Sequence, residues 1–336
     1  MLAKQIDKEQ VQMLVQGRLT AGDAANLLRQ TSEENLTAEI IDLFVQTIKT
    51  NMVPEAAQLI EQLKTAEQLF DCSGTGGSGL PHFNTSTTVA FILSAADVPV
   101  AKFGNRAAGS LSGSFDFLDG LGVGKPLTMP QMIELFRKTY LIFLYAPQFY
   151  PTLGKLAPIR KELRMRTVLN LIGPLLNPLC PPYRMLGTPQ LTANKMIADH
   201  LARQAHLNRA AVVSSEQGLD EMELSTNHMH MIESAKVTYI LHSFHSSHFT
   251  DHSQAPRAPI SVDESVRIFF SLINSELPDD NYFQRVVCLN AGTALAIAGK
   301  AAGIEDGYEQ AAKMIKDKIV KEKFEDYRRS YAAILG

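Results

Sequence analysis

The chain has 336 residues, enough for one large domain or two unequal ones, and its 45% hydrophobic and 20% charged content reads as an ordinary globular protein. A formal net charge of −3 excludes a whole-molecule field that would draw nucleic acid, although a local positive pocket for a small anion stays open. Cys72, Cys180 and Cys288 stand far apart with no CxxC pair, which argues against a disulfide framework or structural zinc and fits a reducing cytosol.

The opening segment, MLAKQIDKEQVQMLVQG, is amphipathic and charged throughout, so it lacks the apolar core of a signal peptide. No later stretch reaches the roughly eighteen uninterrupted apolar residues of a membrane span, and a cytoplasmic protein is expected. Residues 1–67 read as helix, with apolar positions three and four apart, as in Leu14, Leu19, Ala24, Leu27 and Leu28, then Ile40, Ile41, Leu43, Phe44 and Ile48. Thr20 and Ser32 are candidate N-caps. A small helical domain over 1–67 is expected.

The pattern changes at Leu69. Leu69–Ser73 reads as a buried strand entering the glycine cluster Gly74-Thr75-Gly76-Gly77-Ser78-Gly79, followed by an apolar helix from Thr87. A second strand, Val98–Lys102, enters Gly104-Asn105-Arg106 and a helix around Phe117-Leu118. Ile142–Tyr145, Ala210–Val213 and Lys236–Leu241 are further strands, and His228 and His230 alternate as on one strand face. The C-terminal third returns to helix, with an apolar run at Val287–Ala296 and an amphipathic one from Glu305 to Tyr331. Strands alternating with helices predict an α/β domain over 68–336 with a mostly parallel central sheet, joined to the helical part by a helical segment near 165–190.

Glycines let several N–H groups face one anion, and the helix start adds its dipole. Asn84, Ser86 and Thr87 add side-chain donors. Tight turns use the same residues, so this cluster alone leaves both readings open. Lys102, Asn105, Arg106, Ser110 and Ser114 form a second cation-bearing glycine stretch, and two such loops together favour a phosphate or diphosphate ligand. The adjacent acids Asp220 and Glu221 follow a strand, as a hard oxygen-ligated cation such as Mg²⁺ requires or as a solvated loop allows. His242, His245, His248 and His252 read as a solvated polar loop rather than a metal site, since the segment is loop-like and lacks nearby cysteine. The basic run from Lys155 to Arg166 lacks the aromatics and breadth of a nucleic-acid face, leaving a non-catalytic nucleic-acid-binding paralogue as a remote alternative.

Taken in order, Gly74-Thr75-Gly76-Gly77, Asn84-x-Ser86-Thr87, Lys102-x-Gly104-Asn105-Arg106, Ser112-Gly113-Ser114-x-Asp116-x-Leu118, Arg160-Lys161-Glu162-Leu163, Arg166-Thr167, Asn170–Pro178 and Gly218-Leu219-Asp220-Glu221 resemble the anthranilate phosphoribosyltransferase family along essentially the whole chain. The resemblance implies a helical domain beside an α/β domain of the nucleoside phosphorylase/phosphoribosyltransferase kind, a homodimer, and Mg²⁺-dependent transfer from 5-phosphoribosyl 1-diphosphate to anthranilate. It implies that Gly74, Gly77, Ser78, Asn84, Ser86, Thr87, Lys102, Asn105, Arg106, Ser110 and Ser114 line the donor site. Ser86, Asp220 and Glu221 would serve magnesium, and Gly74, Asn105 and Arg160 the acceptor. Lys102, Asn105, Arg106 and Arg160 would carry the chemistry. The chain departs from the family pattern at Ser78, usually aspartate, and on the acceptor side at Phe103 and Tyr150, usually histidines. Those two positions leave a different aromatic acceptor as the alternative reading.

Overall fold

The computed structural model describes residues 6–63, 67–107, 111–243 and 255–336, and of Arg160 the backbone alone. The N-terminal part is helical, in Lys8–Val15, Ala21–Gln30, Ala38–Lys49 and Ala56–Leu63. Asp7, Thr20 and Thr37 start the first three by accepting a backbone N–H from two or three residues ahead. Ser32 instead precedes the short 3-10 turn Glu33–Asn35 and makes no side-chain cap, so the long third helix is set by Thr37. Each helix buries one stripe, such as Ile41, Phe44, Val45 and Ile48.

Seven strands follow: β1 (Phe70–Gly74), β2 (Val100–Gly104), β3 (Leu141–Tyr145), β4 (Tyr183–Gly187), β5 (Arg209–Ser215), β6 (Thr226–Glu233) and β7 (Lys236–Ser243). They form one sheet in the order β3-β2-β1-β4-β5-β6-β7, parallel from β3 to β5 and antiparallel across β5–β6 and β6–β7. The parallel strands are short and almost wholly buried, as strands covered on both faces must be. The helices Thr85–Ala95 and Tyr282–Ile297 pack together on one face, and Leu191–Ala202 on the other. Phe91 lies at the centre of the first layer, its ring within 5.3–5.6 Å of Phe143, Phe269, Phe324 and Tyr327.

The expected connection near 165–190 is helical only in part. Short helical turns occupy Val168–Leu171 and Gly173–Leu176, but Tyr183–Gly187 is a central strand. Its sequence hid it: Pro181 and Pro182 precede it, and Arg184 interrupts the apolar run. Arg184 is buried all the same, 3.4 Å from the Asp71 carboxylate and bonded to the Pro174 carbonyl. The N-terminal helices meet the rest through Ala38–Lys49 on Leu191–Ala202, Ala21–Gln30 on Ala157–Leu163, and Ala56–Leu63 on Met129–Thr139. No helix among the described residues is long and apolar enough to cross a membrane.

Candidate functional site

The chain runs outward from β1 through β2 to β3, then crosses back to place β4 on the other side of β1. Where strand order reverses in this way, the loops leaving the carboxyl ends part and open a crevice, the usual ligand position in parallel sheets. Gly74 and Gly187 are register partners at the ends of β1 and β4, so both glycine-ended strands meet there.

The loop Gly218–Leu224 lies across this point. Asp220 accepts the Gly76 N–H at 2.8 Å, and Thr75 donates to the Gly187 carbonyl at 2.9 Å. A Cβ on Gly74 would fall 2.2 Å from the Asp220 carboxylate, and one on Gly187 1.7 Å from the Asp220 carbonyl, so neither position has room for a side chain. Ser78 closes the turn by accepting the Leu80 N–H at 3.2 Å.

Lys102 on β2 is buried, and its ammonium donates to the Cys72 carbonyl at 2.6 Å and to Ser86 Oγ at 3.1 Å. A lysine that satisfies Ser86 as acceptor leaves that hydroxyl its proton and its second lone pair for a ligand. Ser86 and Thr87 stand in the first turn of Thr85–Ala95, where the dipole favours an anion. The preceding Asn84 accepts from Ser112 at 2.9 Å, bringing the second glycine stretch onto the first.

That second stretch is folded around one carboxylate. Asp116 accepts N–H groups from Ala107 at 2.7 Å and Gly113 at 2.9 Å and pairs with Arg106 at 3.2 Å. Burial works to raise the Asp116 carboxyl, yet these three donors together hold it below the usual range. Ser114 starts the helix Ser114–Gly120 and packs beside Gly104. Arg106, expected at the donor, instead points to Asp116 and Asp119 with its guanidinium 5.9 Å from the Tyr145 ring centre. Asn105 is exposed, with its side-chain oxygen on the Arg106 N–H at 2.8 Å. Ser110 lies outside the described residues, as do His245, His248 and His252.

Burial pushes the Glu221 carboxyl well above its ordinary value; a Thr85 hydrogen bond opposes this, while nearby Glu223 and Asp220 add to it. The hydroxyls of Ser73 and Thr188, at the ends of β1 and β4, and of Thr87 are buried without a hydrogen-bond partner among the described residues. Crowded acids beside unpaired oxygens fit a hard cation that shares its remaining ligands with a substrate. Among the described residues no three His, Cys, Asp or Glu side chains gather as a metal site.

Phe103 and Tyr150 lie together in the core, ring centres 6.1 Å apart and edge to face, and the Tyr150 hydroxyl donates to the Leu176 carbonyl at 2.8 Å. Arg160 sits in the helix Ala157–Leu163. The sequence reading gave no role to two residues that shape the site. Asp71, buried on β1, accepts the Phe103 N–H at 3.2 Å, and Arg166 donates to the Gly77 carbonyl at 3.0 Å. Asp71 stood in an apolar strand, where a charged residue signals a buried partner; Arg166 stood in a basic run that hid its target.

A family model described as "Glycosyl transferase family, a/b domain" matches residues 66–318. Among curated proteins, an anthranilate phosphoribosyltransferase from Caldicellulosiruptor saccharolyticus is 34% identical over 341 residues, covering 96% of this chain and 98% of its own. One from Synechococcus sp. is 32% identical over 338 residues, covering 96% and 95%. Among solved structures, anthranilate phosphoribosyltransferase from Thermus thermophilus matches with a TM-score of 0.82 at 27% identity, over 98% of this chain and 97% of that one. The Saccharomyces cerevisiae protein in complex with PRPP and Mg shares the fold, with a TM-score of 0.78 at 21% identity over 96% and 91%.

Proposed function

The chain belongs to the anthranilate phosphoribosyltransferase family, and from this we propose that it transfers the phosphoribosyl group of 5-phosphoribosyl 1-diphosphate to the amine of anthranilate, releasing diphosphate, as a step of tryptophan biosynthesis. The observation that carries this reading at the site is the Asp220 carboxylate locked onto the Gly76 N–H at the reversal of strand order, with the buried Lys102 ammonium on Ser86 beside it.

In this reading Gly74, Gly77, Ser78, Asn84, Ser86, Thr87, Ser110 and Ser114 surround the donor. The loop N–H groups and the first turn of Thr85–Ala95 take its phosphates. Ser86, Asp220 and Glu221 hold magnesium, which when bound supplies positive charge against the leaving diphosphate. The amine nitrogen bonds to C1 of the ribose as the C1–oxygen bond breaks, the electron pair leaves on diphosphate, and the amine gives up its proton. Oriented N–H groups meet that charge without reorganising, and alignment of amine and C1 supplies much of the remaining rate. Lys102 acts through Ser86. Arg106 acts by holding its loop through Asp116, and Asn105 and Arg160 face the acceptor. The family resemblance also carries a cytoplasmic homodimer in which 1–67 forms a helical domain and 68–336 the α/β domain.

A second reading, the same transfer to another aromatic acceptor, draws on Phe103 and Tyr150. Both rings are committed to the core, and the Tyr150 hydroxyl is already bonded to Leu176. Loss of anthranilate fluorescence with 5-phosphoribosyl 1-diphosphate and Mg²⁺ decides between them. Turnover that falls at least a hundredfold, roughly 2.7 kcal/mol of transition-state stabilisation, in Asp220→Asn and in Arg160→Ala supports the anthranilate enzyme. Donor binding by calorimetry without anthranilate turnover supports the second reading, and no donor binding sinks both.

A further inference from the structure

We propose that Arg166 is a positioning residue that latches the first glycine loop to the N-terminal helices; the proposal deepens the donor-site reading above and rests on it. The guanidinium has two contacts to distant parts of the chain. Nη1 donates to the Gly77 carbonyl at 3.0 Å, and Nε donates to Glu33 at 2.7 Å. Glu33 opens the 3-10 turn Glu33–Asn35, which follows the second N-terminal helix.

The backbones carrying these two residues are themselves stitched together. Ser32 and Thr167 form an antiparallel bridge, and Val168 N–H donates to the Thr31 carbonyl at 2.9 Å. Arg166 therefore moves with the helical part rather than with the sheet. Its reach to Gly77 is close: a Cβ there would fall 2.0 Å from Nη1, and Gly77 holds φ +80, a conformation that side chains rarely adopt. The loop is thus gripped on two sides, by Asp220 at Gly76 and by Arg166 at Gly77. The first grip comes from the sheet and the second from the helical part. Nη2 is buried with no hydrogen-bond partner among the described residues, so the guanidinium keeps donor capacity beyond these two contacts. The planar fork matters more than the charge, because a lysine offers no two fixed N–H directions.

Hydrogen exchange read by mass spectrometry on the full-length protein tests the latch without any substrate. Glu33→Gln keeps volume and removes the ion pair, and Arg166→Lys keeps charge and removes the fork. Both are expected to speed exchange across Gly76–Gly79 about tenfold while leaving the sheet strands unchanged. Both are also expected to raise KM for 5-phosphoribosyl 1-diphosphate about tenfold, with kcat and KM for anthranilate within about twofold. Unchanged loop exchange overturns the latch. So does faster exchange spread over the whole chain, which marks a merely structural residue, and so does faster loop exchange with an unaltered donor KM. A wild-type protein that binds no phosphoribosyl donor fails the functional reading instead, and loop exchange still reports on the latch by itself.

Discussion

Tyr150 and Lys102 are both buried polar side chains, yet the proposed chemistry asks different things of them. The Tyr150 hydroxyl donates inward to a carbonyl, and burial pushes its ionisation far above the ordinary phenol range. Tyr150→Phe should leave the Leu176 carbonyl unpaired at a cost of about 1–2 kcal/mol, read as a lower urea midpoint, with kcat within about twofold. Lys102 donates to Ser86 as well as to the Cys72 carbonyl, so Lys102→Met should lower the urea midpoint too and, in addition, lose activity by about a hundredfold in the same assay. At this scale the sequence displays which residue stands where, and the structure brings the glycine, lysine and acid types together at the reversal of strand order. It does not display direction. Arg106 turns to Asp116 and Asp119, and Arg166 to Gly77, because each choice depends on a carboxylate or carbonyl brought up by another part of the chain.

Among the elements, the second glycine stretch shows how a loop is given one shape. Without Asp116 the N–H groups of Ala107 and Gly113 and the Arg106 guanidinium share no common acceptor. The depressed carboxyl means that this contribution is complete above the unfolded value of about 3.9 and is lost as pH falls through the lower folded value. Asp116→Asn should therefore raise the donor KM about tenfold at pH 7, measured by steady-state kinetics, a loss that acidification of the parent protein reproduces only below about pH 4. The two glycine clusters were legible because unusual backbone needs unusual local composition. β4 was not, because a strand of only Tyr183–Gly187 containing a buried arginine has no local signature. Its stability comes from β1 and β5 on either side.

Across the whole molecule, the helical part and the sheet part are joined by a polar seam. Asp42 on Ala38–Lys49 accepts from His200 and, at 2.9 Å, from Arg203 at the end of Leu191–Ala202. Burial, with Arg184 and Lys49 acting the same way, holds the His200 imidazole below its ordinary value against the pull of Asp42. The folded protein therefore resists a proton that the unfolded chain accepts at about 6.5, so stability is full above that value and declines as pH falls below it. Urea midpoints compared at pH 8 and pH 5 should show this decline, and His200→Asn should lessen it, since burial also lowers His206 and His230. The α/β class and the helical start were legible from periodicity. The order of strands was not, because pairing between distant segments leaves no trace in either one alone.

Those distant pairings also bear on how the protein comes into being. Gly76 and Asp220 are 144 positions apart, and Arg166 is 133 from Glu33. A ribosome that has released the first glycine loop must still add a long stretch of chain before the carboxylate that fixes it exists. Closing such long loops costs entropy that is recovered only when the sheet is assembled. The nascent chain can thus hold formed helices and an early β1–β2–β3 unit while the donor loop has nothing to close against, and catalytic competence arrives only with the late strands.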